Sequence, residues 1–195
     1  MSRKIPEYLP GHCYHLYNRG ASKGSIFRDE DNYVFVLRKI KHYSREYDLT
    51  VIAYCLMPNH YHLLVRQEGQ ERAGLLPQRV FNSYTKAYNK RYEHSGTLFQ
   101  GPYRAIHLES ESHLLHLCRY IHANPVKDGL VATPEDWPYS NYLEWIDARP
   151  GTLVDRAFVQ EHFATPADYC SFVMAYLRGH CVSEEIERYV VDWDS

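Results

Sequence analysis

Residues Met57 to Val65 read MPNHYHLLV and place His60 and His62 two positions apart in a run of strand-forming residues. Side chains alternate between the faces of a strand, so the two imidazoles share one face while Tyr61, Leu63 and Val65 share the other. Two imidazoles a few ångströms apart can hold a divalent metal. They can equally be ordinary polar residues on a wet face. A second group of interest lies in Arg119 to Val126, RYIHANPV. On a helix, His116, Tyr120 and Asn124 stand at i, i+4 and i+8 and share a face. Two imidazoles and one carboxamide oxygen give a metal three protein ligands and leave positions open, as catalysis requires and a closed structural zinc site does not. The open positions suit a non-bridging oxygen of a phosphodiester, whose phosphorus becomes polarised. Tyrosine can then attack as a nucleophile. Its phenol ionises near pH ~10, so it needs a metal's field or a base to act at neutral pH. The chain has 18 tyrosines, and most tyrosines in any protein are core or surface. Tyr120 as a packing residue beside a metal-dependent phosphodiesterase centre therefore stays open.

The surrounding elements decide whether these groups meet. His12 to Arg19 reads as a strand closed by Gly20. Residues 29–47 read as a helix capped by Asp29, with Tyr33, Val36, Leu37, Ile40 and Tyr43 at helical spacing. Thr50 to Met57 and His60 to Arg66 read as a hairpin turning at Pro58-Asn59. Residues 75–92 read as a second helix and Leu98 to Leu108 as an extended stretch broken near Gly101-Pro102. Residues 111–124 read as a third helix stopped by Pro125. Strand, helix, hairpin, helix, strand is an α+β succession on an antiparallel sheet, ferredoxin-like in outline.

Bulk properties exclude several classes. No apolar run reaches membrane-spanning length, and the N-terminus lacks a signal-peptide core. The five cysteines (Cys13, Cys55, Cys118, Cys170, Cys181) are odd in number and widely spaced, which fits reduced thiols and a cytoplasmic location. Net charge is −2, but unevenly spread. Residues 1–108 hold 16 Lys and Arg against 9 Asp and Glu; residues 109–195 hold 6 against 15. A basic body with an acidic tail is compatible with a polyanion on one face. Tyr84, Tyr88 and Tyr92 stand at helical spacing beside Lys86, Lys90 and Arg91. They read either as a stacking platform for single-stranded DNA or as a packed aromatic stripe with a solvated flank.

MPNHYHLLV, LFQGPYRA (Leu98 to Ala105), YIHANPVKDGLV (Tyr120 to Val131) and DWPYSNY (Asp136 to Tyr142), in that order, resemble the HUH single-tyrosine transposases, in particular the REP-associated tyrosine transposases. The opening YHLYNRGASKGSIFRDEDNYVFVL resembles the start of that family. The resemblance covers roughly residues 11–145. It implies a ferredoxin-like antiparallel sheet with helices on one side, and a domain over 8–145. It implies His60, His62 and Asn124 as ligands of Mg²⁺ or Mn²⁺ and Tyr120 as nucleophile. The implied activity is endonuclease and strand transfer on single-stranded DNA at hairpins of repetitive extragenic palindromes, through a 5′-phosphotyrosine. The implied assembly is a monomer or homodimer. A domesticated protein that binds hairpins without chemistry is the alternative. Arg19, Lys86, Lys90, Arg91 and Arg104 are the candidate phosphate contacts.

Residues 146–195 form an acidic appendage, 4 Arg against 9 Asp and Glu. Thr165, Pro166 and Asp168 mark a helix start and Gly179 a stop. Phe158, Phe163, Tyr169, Phe172, Val173, Tyr176 and Leu177 are spaced to dock. A docked anionic segment near a basic groove would moderate DNA binding; a plain packing appendage is the other reading.

Overall fold

In the computed structural model, which describes residues 6–179, four strands build one antiparallel sheet: β1 (Cys13–Arg19), β2 (Leu49–Met57), β3 (His60–Gln67) and β4 (Arg104–Leu108). Their spatial order is β2-β3-β1-β4. Helix α1 (Glu30–Glu46) joins β1 to β2, and α2 (Leu75–Tyr92) joins β3 to β4. That is the ferredoxin-like arrangement. Helices α3 (Glu111–Lys127), α4 (Tyr142–Trp145), α5 (Arg156–His162) and α6 (Pro166–Leu177) follow. Among the described residues no helix is long and apolar enough to cross a membrane.

Strand alternation sorts the sheet into two faces. Tyr14, Leu16, Tyr61, Leu63 and Val65 enter one core with Val36 and Ile40 of α1 and Val80, Tyr84 and Tyr88 of α2. Tyr17 and Leu64 enter a second core with Leu117 and Ile121 of α3, Trp145 of α4, Phe158 of α5, and Tyr169 and Val173 of α6. The resemblance implied helices on one side, whereas here both faces are covered. The reason lies in β2, which is apolar on both faces and buried along nearly its whole length; such a strand cannot leave a face to water. On β3 only Leu64 joins the α3 core, beside His60, His62 and Arg66 on the same face. The register of β2 shifts between Val51 and Ala53. Ile52 and Ala53 then both face α3, and beyond them Cys55 and Met57 do as well.

Two local readings change. Helix α3 runs through Pro125 to Lys127. Proline removes one backbone donor, but near the last turn that loses a single helical bond. The stop comes at Gly129, whose φ of 69° lies in the left-handed region. Of the stretch Leu98 to Leu108, only Arg104–Leu108 is strand; Phe99 makes a lone bridge to Gly20. The Thr165 start of α6 holds, with a reciprocal cap between Thr165 and Asp168.

The segment after α3 closes the exposed edge of the sheet. Leu56 N donates to Tyr139 O at 2.9 Å, and Asn141 N to Tyr54 O at 3.3 Å. The Asn141 amide accepts from Tyr54 N at 2.8 Å and donates to Ile52 O at 2.9 Å. β2 would otherwise be an unpaired edge. Arg149 then ties the segment down through Glu144 at 2.7 Å and Ser140 O at 2.6 Å. α6 is pinned by a buried bond between Tyr169 and His122, whose other nitrogen meets Asn141 at 2.9 Å. The acidic residues Glu184, Glu185, Glu187, Asp192 and Asp194, and Cys181, lie outside the described residues.

His122 gives this core a pH signature. Burial pushes its imidazole down to about 4, against a smaller upward pull from Asn141. The folded state therefore binds fewer protons than the unfolded one between pH ~4 and ~6.5. The stabilisation is complete above the unfolded value and is lost as pH falls through that window. Exchange to His122→Gln should make stability, measured by urea unfolding, about 2 kcal/mol less sensitive to a drop from pH 7 to pH 5. An equal drop in the variant would contradict the assignment.

Candidate active site

β1 and β3 pair at the centre of the sheet, with Tyr17 opposite His62 and Arg19 opposite His60. His60 and His62 point toward α3. Their ring centroids are 5.1 Å apart and nearly perpendicular. His60 is half-buried, and its Nδ1 lies 2.7 Å from Asn59 Oδ1. His62 is 3% exposed. Its Nδ1 lies 2.9 Å from His15 Nε2, and its Nε2 lies 3.2 Å from the Asn124 amide nitrogen. The Tyr120 ring stands edge-on to His62 at 5.6 Å and is 2% exposed. The sequence-derived set of His60, His62, Tyr120 and Asn124 therefore meets at one place, between β3 and α3.

His116 does not join it. A four-residue step turns about 40° around a helix, so i and i+8 diverge by about 80°. His116 packs instead toward Phe172 of α6, at 5.8 Å.

The two site histidines open on a cleft of about 300 Å³ lined by Tyr17, Asn18, Arg19, Lys23, Gln100 and Arg104, with Asp128 at the end of α3. Arg19 and Arg104 thus flank the site, and Arg19 Nε donates to Gln100 Oε1 at 2.7 Å. Gly20 sets this wall. Its N–H donates to Asn59 O at 2.7 Å. A Cβ there would stand 2.0 Å from Gly24 O, so only glycine lets the loop carrying Lys23 fold back onto the cleft.

Lys86, Lys90 and Arg91 sit on α2, against the opposite face of the sheet. Lys86 and Lys90 are exposed; Arg91 bridges Asp29 and Asp31 at 3.0 and 3.1 Å. The tyrosine stripe beside them is packed. Tyr84 and Tyr88 are 1% and 3% exposed, Tyr84 donates to Ile26 O, and Tyr92 donates to Asp29 at 2.7 Å.

Sequence reasoning missed three cleft neighbours. His15 is fully buried behind His62. Asp128 lines the cleft. Lys127 Nζ lies 5.4 Å from the Tyr120 ring and donates to Tyr176 OH at 3.0 Å. The strand periodicity puts His15 on the same face as Tyr17, but only the β1–β3 register places it against His62.

Burial, then the neighbouring His60 and His15, hold His62 far below the usual imidazole range. Burial pushes His15 down to about 3. Both rings are neutral at pH 7. A neutral imidazole keeps a lone pair for a metal, whereas a charged one has none. Among the described residues no three His, Cys, Asp or Glu side chains gather as a metal cage. The donor set is two imidazoles and a carboxamide. Two ligand atoms about 2.1 Å from an octahedral ion, at right angles, lie about 3.0 Å apart. The 3.2 Å between His62 Nε2 and the Asn124 amide fits that spacing, and a half-turn of the amide presents its oxygen.

A ferredoxin-like sheet that sets a strand histidine pair against a tyrosine-bearing helix defines a class of protein. The family model described as "Transposase IS200 like" matches residues 9–124. The chain belongs to that family. It is 28% identical over 107 residues to a Haemophilus influenzae protein named as a REP-associated tyrosine transposase. That match takes in 49% of this chain and 60% of the relative, so the chain spans less than two thirds of its length. The fold is similar to a solved REP-associated tyrosine transposase bound to a REP hairpin. The TM-score is 0.65 and the identity 19%, over 80% of this chain and 94% of that one.

Proposed function

We propose that the chain cuts and rejoins single-stranded DNA at REP-like hairpins through a covalent tyrosine intermediate. What carries the reading is the convergence of Tyr120, His62 and Asn124 beside a cleft flanked by Arg19 and Arg104. His60, His62 and Asn124 would hold Mg²⁺ or Mn²⁺. When bound, such an ion supplies a Lewis acid for the scissile phosphate. Arg19 and Arg104 neutralise the flanking phosphates and set the strand's position. The Tyr120 oxygen bonds to phosphorus while the bond to the 3′ oxygen breaks. The phenol gives up its proton and the departing 3′ oxygen gains one, so the products are a 5′-phosphotyrosine and a free 3′-OH. Lys127 Nζ, 5.4 Å from the centre of the Tyr120 ring, adds positive charge beside the reacting groups. The covalent link conserves the phosphodiester's bond energy, so attack by another 3′-OH rejoins strands without a nucleotide cofactor.

Incubation with a labelled REP-like hairpin and Mn²⁺ should give a protein–DNA adduct, read by denaturing gel and intact mass. Tyr120→Phe should abolish it with hairpin binding retained. Binding with no adduct from the unaltered chain, across several hairpins, would favour a protein that only occupies hairpins. Cleavage that survives Tyr120→Phe would favour a phosphodiesterase without a covalent step.

The two cation groups separate by face. Arg19→Ala with Arg104→Ala should lower the slope of log affinity against log salt by about 1 to 2. Lys86→Ala with Lys90→Ala should leave it nearly unchanged. The reverse pattern would place the strand on α2.

A further inference from the structure

We propose that His15 and Asn59 are positioning residues that fix both site histidines in the tautomer that keeps the Nε2 lone pair for a metal. This rests on the metal-site reading above and adds the groups behind it. A neutral imidazole has one N–H and one lone pair, and which nitrogen holds the hydrogen is set by what its other nitrogen meets. If Nε2 carried the hydrogen, it could not ligate.

Each histidine has a dedicated partner at its Nδ1. His60 Nδ1 faces Asn59 Oδ1 at 2.7 Å. An amide oxygen only accepts, so the hydrogen sits on Nδ1 and Nε2 keeps its lone pair. His62 is held at both ends. The Asn124 amide nitrogen, a donor, approaches Nε2 at 3.2 Å. A nitrogen that accepts there carries no hydrogen. The hydrogen is then on Nδ1, donated to His15 Nε2 at 2.9 Å, and His15 carries its own on Nδ1.

Packing keeps His15 in place. It sits on the central strand, fully buried, stacked on Tyr17 at 4.7 Å and on His62 at 5.1 Å. Its partner choice also has an electrostatic consequence. Histidine ligands are commonly backed by carboxylates, backbone carbonyls or water, and a carboxylate makes the ligand more basic. His15 and Asn59 are both neutral. They orient the rings without adding negative charge, which leaves a bound cation's pull for the phosphate.

The test begins on the metal-free, unaltered chain. Long-range proton–nitrogen correlation spectra of the imidazoles should show both His60 and His62 as Nδ1–H tautomers. A dominant Nε2–H form at either position overturns the proposal for that residue, whether or not any variant folds. In His15→Phe, His62 should shift toward the Nε2–H form, and Mn²⁺ affinity, read from the free-ion EPR signal, should fall about 10- to 100-fold. In His15→Gln an amide oxygen can accept in the same place, and both readouts should recover most of the loss. A His15→Phe protein with the His62 tautomer and Mn²⁺ affinity unchanged would overturn the role of His15. Asn59→Ala should act in the same way on His60 alone. If the tautomers are as stated yet the unaltered chain binds no Mn²⁺, the metal reading fails while the positioning assignment stands.

Discussion

His62 is held from two sides, by His15 on β1 and by Asn124 on α3. That one buried ring joins the sheet to the helix that carries Tyr120. Its surroundings do two things at once. Desolvation keeps it uncharged, so it can act as a lone-pair donor at neutral pH. Close packing fixes its direction, and a reacting group misplaced by about 1 Å can cost about 100-fold in rate. Both effects disappear if α3 drifts from the sheet, so the architecture on that face can be understood as what keeps α3 still.

Much of that support lies beyond residue 124, the end of the family match. Asn141 bonds β2, His122 and Leu153 together. Trp145 donates to Ile52 O at 3.0 Å and packs on Tyr169 at 4.4 Å. Arg119, next to Tyr120, lies over the rings of Phe172 and Tyr176. Glu144 is buried and paired with Arg149; losing one partner of a buried pair typically costs about 3–5 kcal/mol. The C-terminal helices are thus part of the core behind Tyr120.

The strand histidines, the tyrosine and the asparagine were legible because each rests on short-range periodicity: two residues along a strand, four along a helix. The ferredoxin-like order was legible from the succession of elements. His15 was not, because its meeting with His62 depends on strand register, and nothing in HCYHLYNR specifies a partner strand. The α2 cations lie on the other side of the sheet from the histidines, which their place in the sequence does not reveal. Tyr84 and Tyr88 show the helical spacing of a stripe, but spacing alone does not say whether a stripe meets DNA or a sheet; here it meets the sheet. Pro125 marked a helix end three residues early, because a proline near the last turn removes little. The second sheet face was hinted at by the apolar run of β2, which no one-sided sheet would carry.

In the proposed site a strand histidine pair and a helix asparagine hold a single divalent metal beside Tyr120. Pulsed EPR on the Mn²⁺-loaded chain tests it most directly, because imidazole nitrogens bound to the ion give resolved nitrogen couplings. Couplings from two imidazoles are expected, one of which disappears in His60→Ala and the other in His62→Ala. Nitrogen couplings that are absent, or that persist unchanged in both variants, would contradict it.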